Sequence, residues 1–250
     1  MDNYTKEIVV NSLLFFRKYF LLFFLPIIAH SQNVCKINYT VIPTGGTFEN
    51  NDDVKKMTTA NRYTGLDEAL KSINYELIIN GNESYFRQVP SLNLVDRISR
   101  TARNLAGSAA YLKNGSQTIK LVNLSGESFN VLLDKPKEWR FLNESKIING
   151  YLCYKATREK EIRKRARVEV IAWYCPEITF NNGPKEFGGL PGLILEIQDG
   201  RFTFLVSKID LSQKQEINIQ KIEGKIINED AFDKICEEIK EKMFNNMQKN

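Results

Sequence analysis

Three of the Asx-Gly pairs in this sequence constrain its fold more than any other feature of its 250 residues. The three pairs are Asn80-Gly81, Asn114-Gly115 and Asp199-Gly200, and each lies between runs in which apolar and polar residues alternate. Asn, Asp and Gly tolerate the positive φ angles of a two-residue hairpin turn, and strict alternation is typical of a half-buried strand. Three hairpins without alternating long helices predict an antiparallel sheet rather than a parallel α/β fold.

The position of each turn fixes which side chains should be neighbours. With Asp199 and Gly200 as the turn residues, Ile197 would face Phe202. The same rule places Tyr75 opposite Phe86 in the first hairpin. Further strands are predicted over residues 34–42, 129–133, 139–145, 150–157, 167–175 and 217–227, and a helix is predicted within 91–107.

The end of the chain predicts a helix over residues 229–246. Asn228 is a good N-cap, and Glu229 and Asp230 in the first turn complement the helix dipole. Phe232 and Ile235 begin an apolar stripe at helical spacing. We therefore predict a mainly β fold: an antiparallel curved sheet, half-barrel or sandwich-like, with a C-terminal α-helix, in a single domain over residues 32–250.

Residues 1–31 have the pattern of a signal peptide. The basic pair Arg17-Lys18 precedes an apolar run over 19–29, and Ala29 and Ser31 suit cleavage before Gln32. The run is short and contains Pro26, so it is a poor membrane span, although an uncleaved anchor is the alternative. The pattern predicts an exported protein, in the periplasm or associated with the outer membrane, without a stable membrane span after cleavage.

Histidine is nearly absent from the sequence, since His30 is the only one. Removal of residues 1–31 would leave none, which excludes Ser-His and Cys-His nucleophile pairs and histidine metal ligands. We predict no catalytic residue, no metal site and no cofactor. The formal charge of +5 is small for this length and does not indicate a nucleic-acid partner.

The four cysteines favour disulfides, because an exported protein with an even count commonly pairs them. They are Cys35, Cys153, Cys175 and Cys236, and none forms a C-x-x-C motif. A hairpin centred near Lys164 would place Cys153 opposite Cys175, where a bridge is geometrically plausible. Cys35 and Cys236 would then form the second pair.

Residues 158–167 are rich in Lys and Arg. They are interpreted as a solvated hairpin end, where basic residues also discourage edge-to-edge strand pairing. Binding of a lipid or polyanion is the alternative.

The glycine-rich stretch over residues 187–197 lacks the spacing and the lysine of a phosphate-binding loop. Gly188, Gly189 and Gly192 permit unusual backbone conformations, and Pro191 stiffens the chain between them. This stretch predicts a structural corner of the fold rather than an active site.

The sequence Gly-Leu-Pro-Gly-Leu-Ile at 189–194 resembles the signature of the GLPGLI family. Further matching stretches lie at 75–77, 83–84 with Phe86, 139, 143–146, 150–157, 172–174 and 176–178, and Cys175 departs from the usual pattern. The motif residues matched in the second half of the chain are Trp173, Pro176, Glu177, Gly183, Pro184, Phe187, Gly189, Leu190, Pro191, Gly192, Leu193, Ile194 and Glu196.

The resemblance implies an exported envelope protein of Bacteroidota, of a family without an agreed activity and associated with outer-membrane transport. The β-rich pattern is also similar to the open half-barrels of lipoprotein carriers. We therefore expect a non-catalytic binding or scaffolding module, whose partner is an outer-membrane protein or an apolar ligand held against the sheet.

Two other functions stay open at this stage. A carboxylate-dependent hydrolase would draw on Glu177, Glu186 and Glu196, of which Glu196 lies among apolar neighbours that would raise its pKa on burial. Its alternative is a structural Glu196 on the solvent face, paired with Arg201 or a lysine. The remaining hypothesis is a subunit whose exposed edge strand pairs with another chain.

Overall fold

The computed structural model of this chain describes residues 34–44, 65–90, 96–162, 166–213 and 225–248. The strands are β1 (Val34–Pro43), β2 (Asn74–Asn80), β3 (Glu83–Gln88), β4 (Ala110–Asn114), β5 (Gln117–Leu124), β6 (Glu127–Leu132), β7 (Arg140–Ile148), β8 (Tyr151–Ile162), β9 (Ala166–Cys175), β10 (Leu193–Asp199), β11 (Phe202–Gln213) and β12 (Lys225–Asn228). The helices are α1 (Leu66–Lys71), α2 (Arg97–Ala106) and α3 (Glu229–Gln248).

The mainly β fold and the C-terminal helix are confirmed. The predicted signal peptide, residues 1–31, and most of the predicted strand at 217–227 lie outside the described residues. Within the ranges that are described, none of the helices has the length and apolar character needed to cross a membrane.

All described strands belong to one open sheet with the order β12-β6-β5-β4-β3-β2-β1-β11-β10-β9-β8-β7. Neighbouring strands are antiparallel except at one edge, where β12 runs parallel to β6. β6 and β12 are separated by about 90 residues of chain, and parallel pairing needs such a long connection between the two strands. The sheet is therefore mixed where a purely antiparallel one was predicted.

The predicted register of the third hairpin is wrong by two residues. Asp199 pairs with Phe202 and Ile197 pairs with Phe204, so the turn consists of Gly200 and Arg201. Gly200 has a φ of 63° and is the first turn residue, whereas Asp199 is the last residue of β10. A shift of two residues preserves the alternation, so each side chain still lies on its predicted face.

The other two predicted hairpins show the same shift. Asn80 pairs with Glu83, and Asn114 pairs with Gln117, so that each turn begins at the glycine. The common cause is that the Asx residue completes the strand and the glycine alone supplies the first positive φ.

One face of the sheet, called the inner face here, carries the main hydrophobic core. On this face the ring of Tyr75 stacks on Phe86 with centroids 5.2 Å apart, and it meets Phe204 edge-on at 5.1 Å. Helices α1 and α2 cover this part of the face with apolar side chains, among them Leu70 and Ala102, which are fully buried. The apolar surface of the central strands is thus already covered by the chain itself.

The sheet curls so that strands far apart in its order approach each other. Asn182, between β9 and β10, donates a 2.8 Å hydrogen bond from Nδ2 to Oγ of Ser84 in β3. Lys113 of β4 contacts the carbonyl of Asn181 at 3.4 Å. The curved, half-barrel form of the prediction is the observed one, and the described strands form no second sheet against which a sandwich could pack.

The glycine-rich stretch forms a tight corner before β10. Backbone N–H groups of Leu193 and Ile194 donate to the carbonyls of Ile178 and Asn182, both at 2.9 Å, which holds the loop against the strand. Gly192 has a φ of 153°. A β-carbon there would overlap with the carbonyl oxygen of Cys175 and lie 2.6 Å from its carbonyl carbon.

All four cysteines are free thiols in the structure, so neither predicted disulfide is formed. The register of β8 and β9 pairs Tyr154 with Tyr174, which puts Cys153 and Cys175 at the next position, as centring on Lys164 predicts. The thiol of Cys153 instead donates to the carbonyl of Tyr151 at 3.5 Å, and burial raises its pKa to about 12.

The second predicted pair is separated by the architecture. Cys35 lies in the main core on β1, whereas Cys236 of α3 packs with a smaller cluster around Phe129 and Phe232. Cys35 and Cys236 therefore belong to different hydrophobic clusters.

Replacement of Gly192 by valine should prevent stable folding, because the new side chain would overlap with backbone that cannot move aside. Gly189→Ala in the same motif is the matched control: its φ is 80°, but no atom lies within 4 Å of the added β-carbon. The control substitution should lower the free energy of unfolding by only about 1–2 kcal/mol. Thermal unfolding followed by circular dichroism measures both, and a Gly192→Val protein that melts close to wild type would contradict the corner assignment.

Candidate functional site

An open cleft of about 320 Å³ lies where the two arms of the curled sheet approach each other. One arm contributes Thr118 of β5, and the other contributes residues 158–161 of β8. The connection from β6 to β7, residues 133–137, and the first turns of α3 complete the walls, together with Glu186. The cleft therefore depends on the curl, since β5 and β8 are distant in the strand order.

Alternation along the strands carries charged side chains onto the inner face of the sheet. Arg158 and Lys160 follow Ala156 at every second position of β8 and therefore share its inward face. Asp199 follows Ile197 in the same way on β10 and pairs with Val170 of β9. The inner face is thus apolar beneath the helices and charged beside the cleft.

An ion-pair network holds these charges together. Lys160 Nζ lies 2.6 Å from Glu186 Oε1 and 3.2 Å from Asp199 Oδ1. Lys185 Nζ lies 2.8 Å from Asp199 Oδ2. Burial opposes ionisation of Asp199, but Lys185 and Lys160 outweigh it and hold the pKa of this carboxyl below its usual range. Both carboxylate oxygens of Asp199 are therefore engaged by lysines.

Arg158 is held by aromatic rings rather than by an ion pair. Its guanidinium carbon lies 4.6 Å from the ring centroid of Trp139 and 4.8 Å from that of Phe187. Trp139 is fixed in turn, because its Nε1–H donates to the carbonyl of Gly188 at 2.9 Å. Burial lowers the pKa of Arg158, and the carboxylates of Glu186 and Asp199 act in the opposite direction.

Two residues that line the cleft each have one buried polar atom without a hydrogen-bond partner among the described residues. The atoms are Nη1 of Arg158, a residue that is only 6% exposed, and Oε2 of Glu186. Buried polar atoms are nearly always satisfied by protein, water or ligand, so such a pair calls for an explanation.

Further cations lie on the inner face of the opposite arm. Burial lowers the pKa of Lys113, and the nearby Arg158 lowers it further. Burial also lowers the pKa of Lys120 on β5, whose Nζ lies 5.7 Å from the ring centroid of Phe232. Both arms thus bring positive charge toward the interior.

Acidic residues surround the mouth of the cleft, and Glu229 is the best defined of them. Its Oε2 accepts a 2.8 Å hydrogen bond from the backbone N–H of Asp134. Burial raises the pKa of Glu229; the N–H of Asp134 opposes this, whereas the carboxylates of Asp134 and Glu186 add to it. The mouth is therefore acidic, whereas the interior is rich in cations.

The three carboxylates considered for hydrolysis do not converge. Glu177 is exposed after β9, and Glu186 lies in the cleft. Glu196 lies on the outer face, where its Oε2 accepts a 2.7 Å hydrogen bond from Lys146, and that ammonium lies 4.3 Å from the ring centroid of Trp173. The geometry agrees with the alternative in which Glu196 pairs with a lysine.

Most of the remaining motif residues build the corner. Leu190, Leu193 and Ile194 are buried in the main core, and Pro184 is buried and accepts the backbone N–H of Phe187 at 3.1 Å. Gly183 leaves room for the side chain of Ile194, which a β-carbon would approach to 2.7 Å. Pro176, Gly189 and Pro191 are exposed. Of the whole motif, Phe187 alone packs against a charged residue of the cleft.

The residues that define the cleft were not predicted as site residues. They include Arg158, Lys160 and Glu229. Alternation could have revealed the strand residues among them, because Arg158 and Lys160 continue the parity of the small inward Ala156. The Lys- and Arg-rich residues 158–167 were interpreted from their charge as a solvated hairpin end, although alternation along β8 places Arg158 and Lys160 on the inner face.

Comparison with known proteins assigns no activity to this chain. A family model described as "Protein of unknown function (Porph_ging)" matches residues 158–196, which include Arg158 and Glu186. No curated protein matches the sequence significantly.

Several solved structures resemble the fold. One crystal form of PNGF-II has a TM-score of 0.50 at 13% identity and covers 80% of this chain and 32% of its own. A second form has a TM-score of 0.48 at 14% identity, with 79% and 32% covered. A LolA superfamily protein from Nitrosomonas europaea has a TM-score of 0.28 at 10% identity, with 74% and 89% covered. The chain thus spans about a third of PNGF-II, and the likeness concerns the fold alone.

The ion-pair network should make stability depend on pH through Asp199. Because the folded pKa of this carboxyl lies below its unfolded value of about 3.9, its contribution is present above that value and is lost as pH falls through the folded pKa. Asp199→Asn should lower the free energy of unfolding at pH 7 by about 3 kcal/mol, since it leaves two lysines without their shared partner.

Urea unfolding at a series of pH values measures this contribution. The difference between wild type and Asp199→Asn should shrink as pH falls below about 4. Asp134→Asn, at an exposed position of the cleft mouth, should change stability little at any pH. A difference for Asp199→Asn that stays constant into acid would contradict the assignment.

Proposed function

We propose that this chain is an exported, non-catalytic binding module of the cell envelope, and that the cleft between the two arms of its sheet is the binding site. One observation carries the proposal: the cleft is open, yet it is lined by a nine-tenths buried Arg158 with an unpartnered Nη1. Burial of an unpaired cation destabilises the folded protein. Its presence beside a cleft therefore favours a role in ligand recognition.

The geometry favours a polar ligand over an apolar one. The apolar part of the inner face is covered by α1 and α2, whereas the open part presents Arg158, Lys160 and Glu186. A lipid chain in the cleft would have to desolvate these charges without pairing them. A ligand with hydrogen-bonding or charged groups would satisfy them.

The envelope location rests on the sequence. The pattern of residues 1–31 favours export to the periplasm or the outer membrane, and the GLPGLI motif favours an envelope family. The match of residues 158–196 to a family of unknown function overlaps that motif. If the chain is exported as proposed, the protein recovered from periplasmic or outer-membrane fractions should begin at Gln32 on N-terminal sequencing.

Carboxylate-dependent hydrolysis is less favoured because Glu186 is engaged with Lys160 and Glu196 with Lys146. Glu229 is the cleft carboxylate whose raised pKa would suit a general acid. Hydrolysis of any member of a glycan or peptide panel by wild type, abolished in Glu229→Gln, would favour an enzyme over a binding module.

Pairing through an edge strand is a second candidate function. β7 is the terminal strand of the sheet and carries two large exposed apolar side chains, Phe141 at 57% and Ile147 at 73% exposure. Exposed edges with apolar side chains are suited to strand addition by another chain.

Capture from envelopes separates these two functions. Tagged wild-type chain would be crosslinked in cells, purified and examined for bound molecules by mass spectrometry. Thr118→Trp fills the cleft from β5, whereas Gln117→Trp adds the same bulk at the next, exposed position and is the matched control. Ile147→Asp places a charge on the edge strand.

A molecule held in the cleft should be lost from Thr118→Trp and retained by the other two variants. A partner lost only from Ile147→Asp would instead identify edge pairing. Wild-type protein that carries nothing, or a bound molecule that every variant retains, would contradict binding in the cleft.

A further inference from the structure

The two unpartnered atoms of the cleft have opposite charge and complementary hydrogen-bonding roles. Nη1 of Arg158 is a donor on a cation, and Oε2 of Glu186 is an acceptor on a carboxylate. Both residues line the same cleft. What binds there should therefore offer an acceptor and a donor at the same time.

Arg158 and Glu186 do not satisfy each other, because each is held by other groups. The guanidinium lies against the rings of Trp139 and Phe187, at 4.6 and 4.8 Å from their centroids. Glu186 directs its other oxygen, Oε1, to Lys160 at 2.6 Å. The two side chains are thus fixed as a donor and an acceptor on the wall of one cleft.

Charge excludes ligands of a single sign. A simple anion would gain a bond from Arg158 but would face Glu186 and the acidic mouth, which includes Glu229. A simple cation would gain an ion pair with Glu186 but would be repelled by Arg158 and Lys160. A ligand with separated positive and negative groups meets a partner at both points.

The size of the cleft limits the ligand further. A volume of about 320 Å³ lies at the small end of ligand-binding pockets. It suits a molecule of the size of an amino acid or of a lipid headgroup.

We propose that the cleft binds a small zwitterion, whose anionic group accepts from Arg158 and whose ammonium group donates to Glu186. The anionic group is a carboxylate, as in an amino acid, or a phosphate, as in phosphoethanolamine. This inference rests on the proposed binding function and specifies the chemistry of its ligand.

Titration of purified full-length chain with defined small molecules tests the proposal. The zwitterionic probes are free glycine, β-alanine, γ-aminobutyrate and O-phosphoethanolamine, and the single-charge probes are acetate, inorganic phosphate and ethylammonium. Binding is followed by NMR shifts of the protein. At least one zwitterion should bind more tightly than every single-charge probe, with an optimum chain length that reports the spacing of the two groups.

The relative affinity of phosphoethanolamine and the amino acids identifies the anionic group. Stronger binding of phosphoethanolamine would indicate a headgroup, and stronger binding of an ω-amino acid would indicate a carboxylate. Either outcome supports the zwitterion.

Two variants test the assigned contacts. Arg158→Gln and Glu186→Gln should each weaken the preferred zwitterion by about tenfold to a hundredfold, since each removes one charge-assisted hydrogen bond. Glu186→Gln should not weaken acetate, because an anion gains nothing from that carboxylate. Glu127→Gln, at an exposed position outside the cleft, should leave all affinities unchanged.

The proposal is overturned if zwitterions bind no better than single-charge probes, or if Glu186→Gln binds the zwitterion as wild type does. Glu186→Gln keeps the shape of the side chain, so it decides the matter even if Arg158→Gln fails to fold. This titration needs no cellular partner. A negative result would therefore not contradict the proposed binding function, which the capture of a different ligand from envelopes could still support. Only the ligand chemistry would then be wrong.

Discussion

The contact of the Arg158 guanidinium with the rings of Trp139 and Phe187 is the interaction on which the rest of this structure depends. It joins three separate segments: the connection that precedes β7, the strand β8 and the glycine-rich corner. A buried guanidinium is tolerated when aromatic faces and nearby carboxylates compensate for its lost hydration. Here the rings contact it directly, and Glu186 and Asp199 act through their charge. The same contact therefore holds the arm of the sheet in place and sets the charge of the cleft.

The division of the inner face into two parts follows from this arrangement. Beneath α1 and α2 the face is closely packed by aromatic and aliphatic side chains, and Tyr39 anchors the corner by donating from its hydroxyl to the carbonyl of Ile194 at 2.7 Å. Beside the cleft the face carries Lys160, Asp199 and Lys185 in place of apolar residues. One part gives stability through burial of apolar surface, and the other leaves an opening with defined chemistry. The proposed function and the zwitterion inference both belong to the second part.

Alternation and turn chemistry were enough to predict the fold class, because Asx-Gly pairs and period-two patterns report local backbone geometry. They placed each of the three turns one residue too early, and the register therefore two residues off, because the glycine rather than the Asx residue begins each turn. A lysine partner for Glu196 was one of the predicted alternatives. That the lysine is Lys146 could be known only from the position of β7 in the sheet. The cleft itself could not be predicted, because β5 and β8 meet only through the curl of the whole sheet. Disulfides were expected from cysteine count and export, yet the thiol of Cys153 is directed to the carbonyl of Tyr151.

The curl of the sheet is the central claim, because the cleft exists only if the two arms approach each other. Eight steps in the strand order separate β5 from β8, which in a flat sheet would place them about 38 Å apart at the usual strand spacing. The direct test is a spin-label distance between Gln117 and Glu161, both exposed beside the cleft, measured by double electron-electron resonance in a Cys236→Ser background. The account predicts a single distribution centred well below the flat-sheet value. A distribution centred near 38 Å would contradict the curl, the cleft and the functions assigned to it.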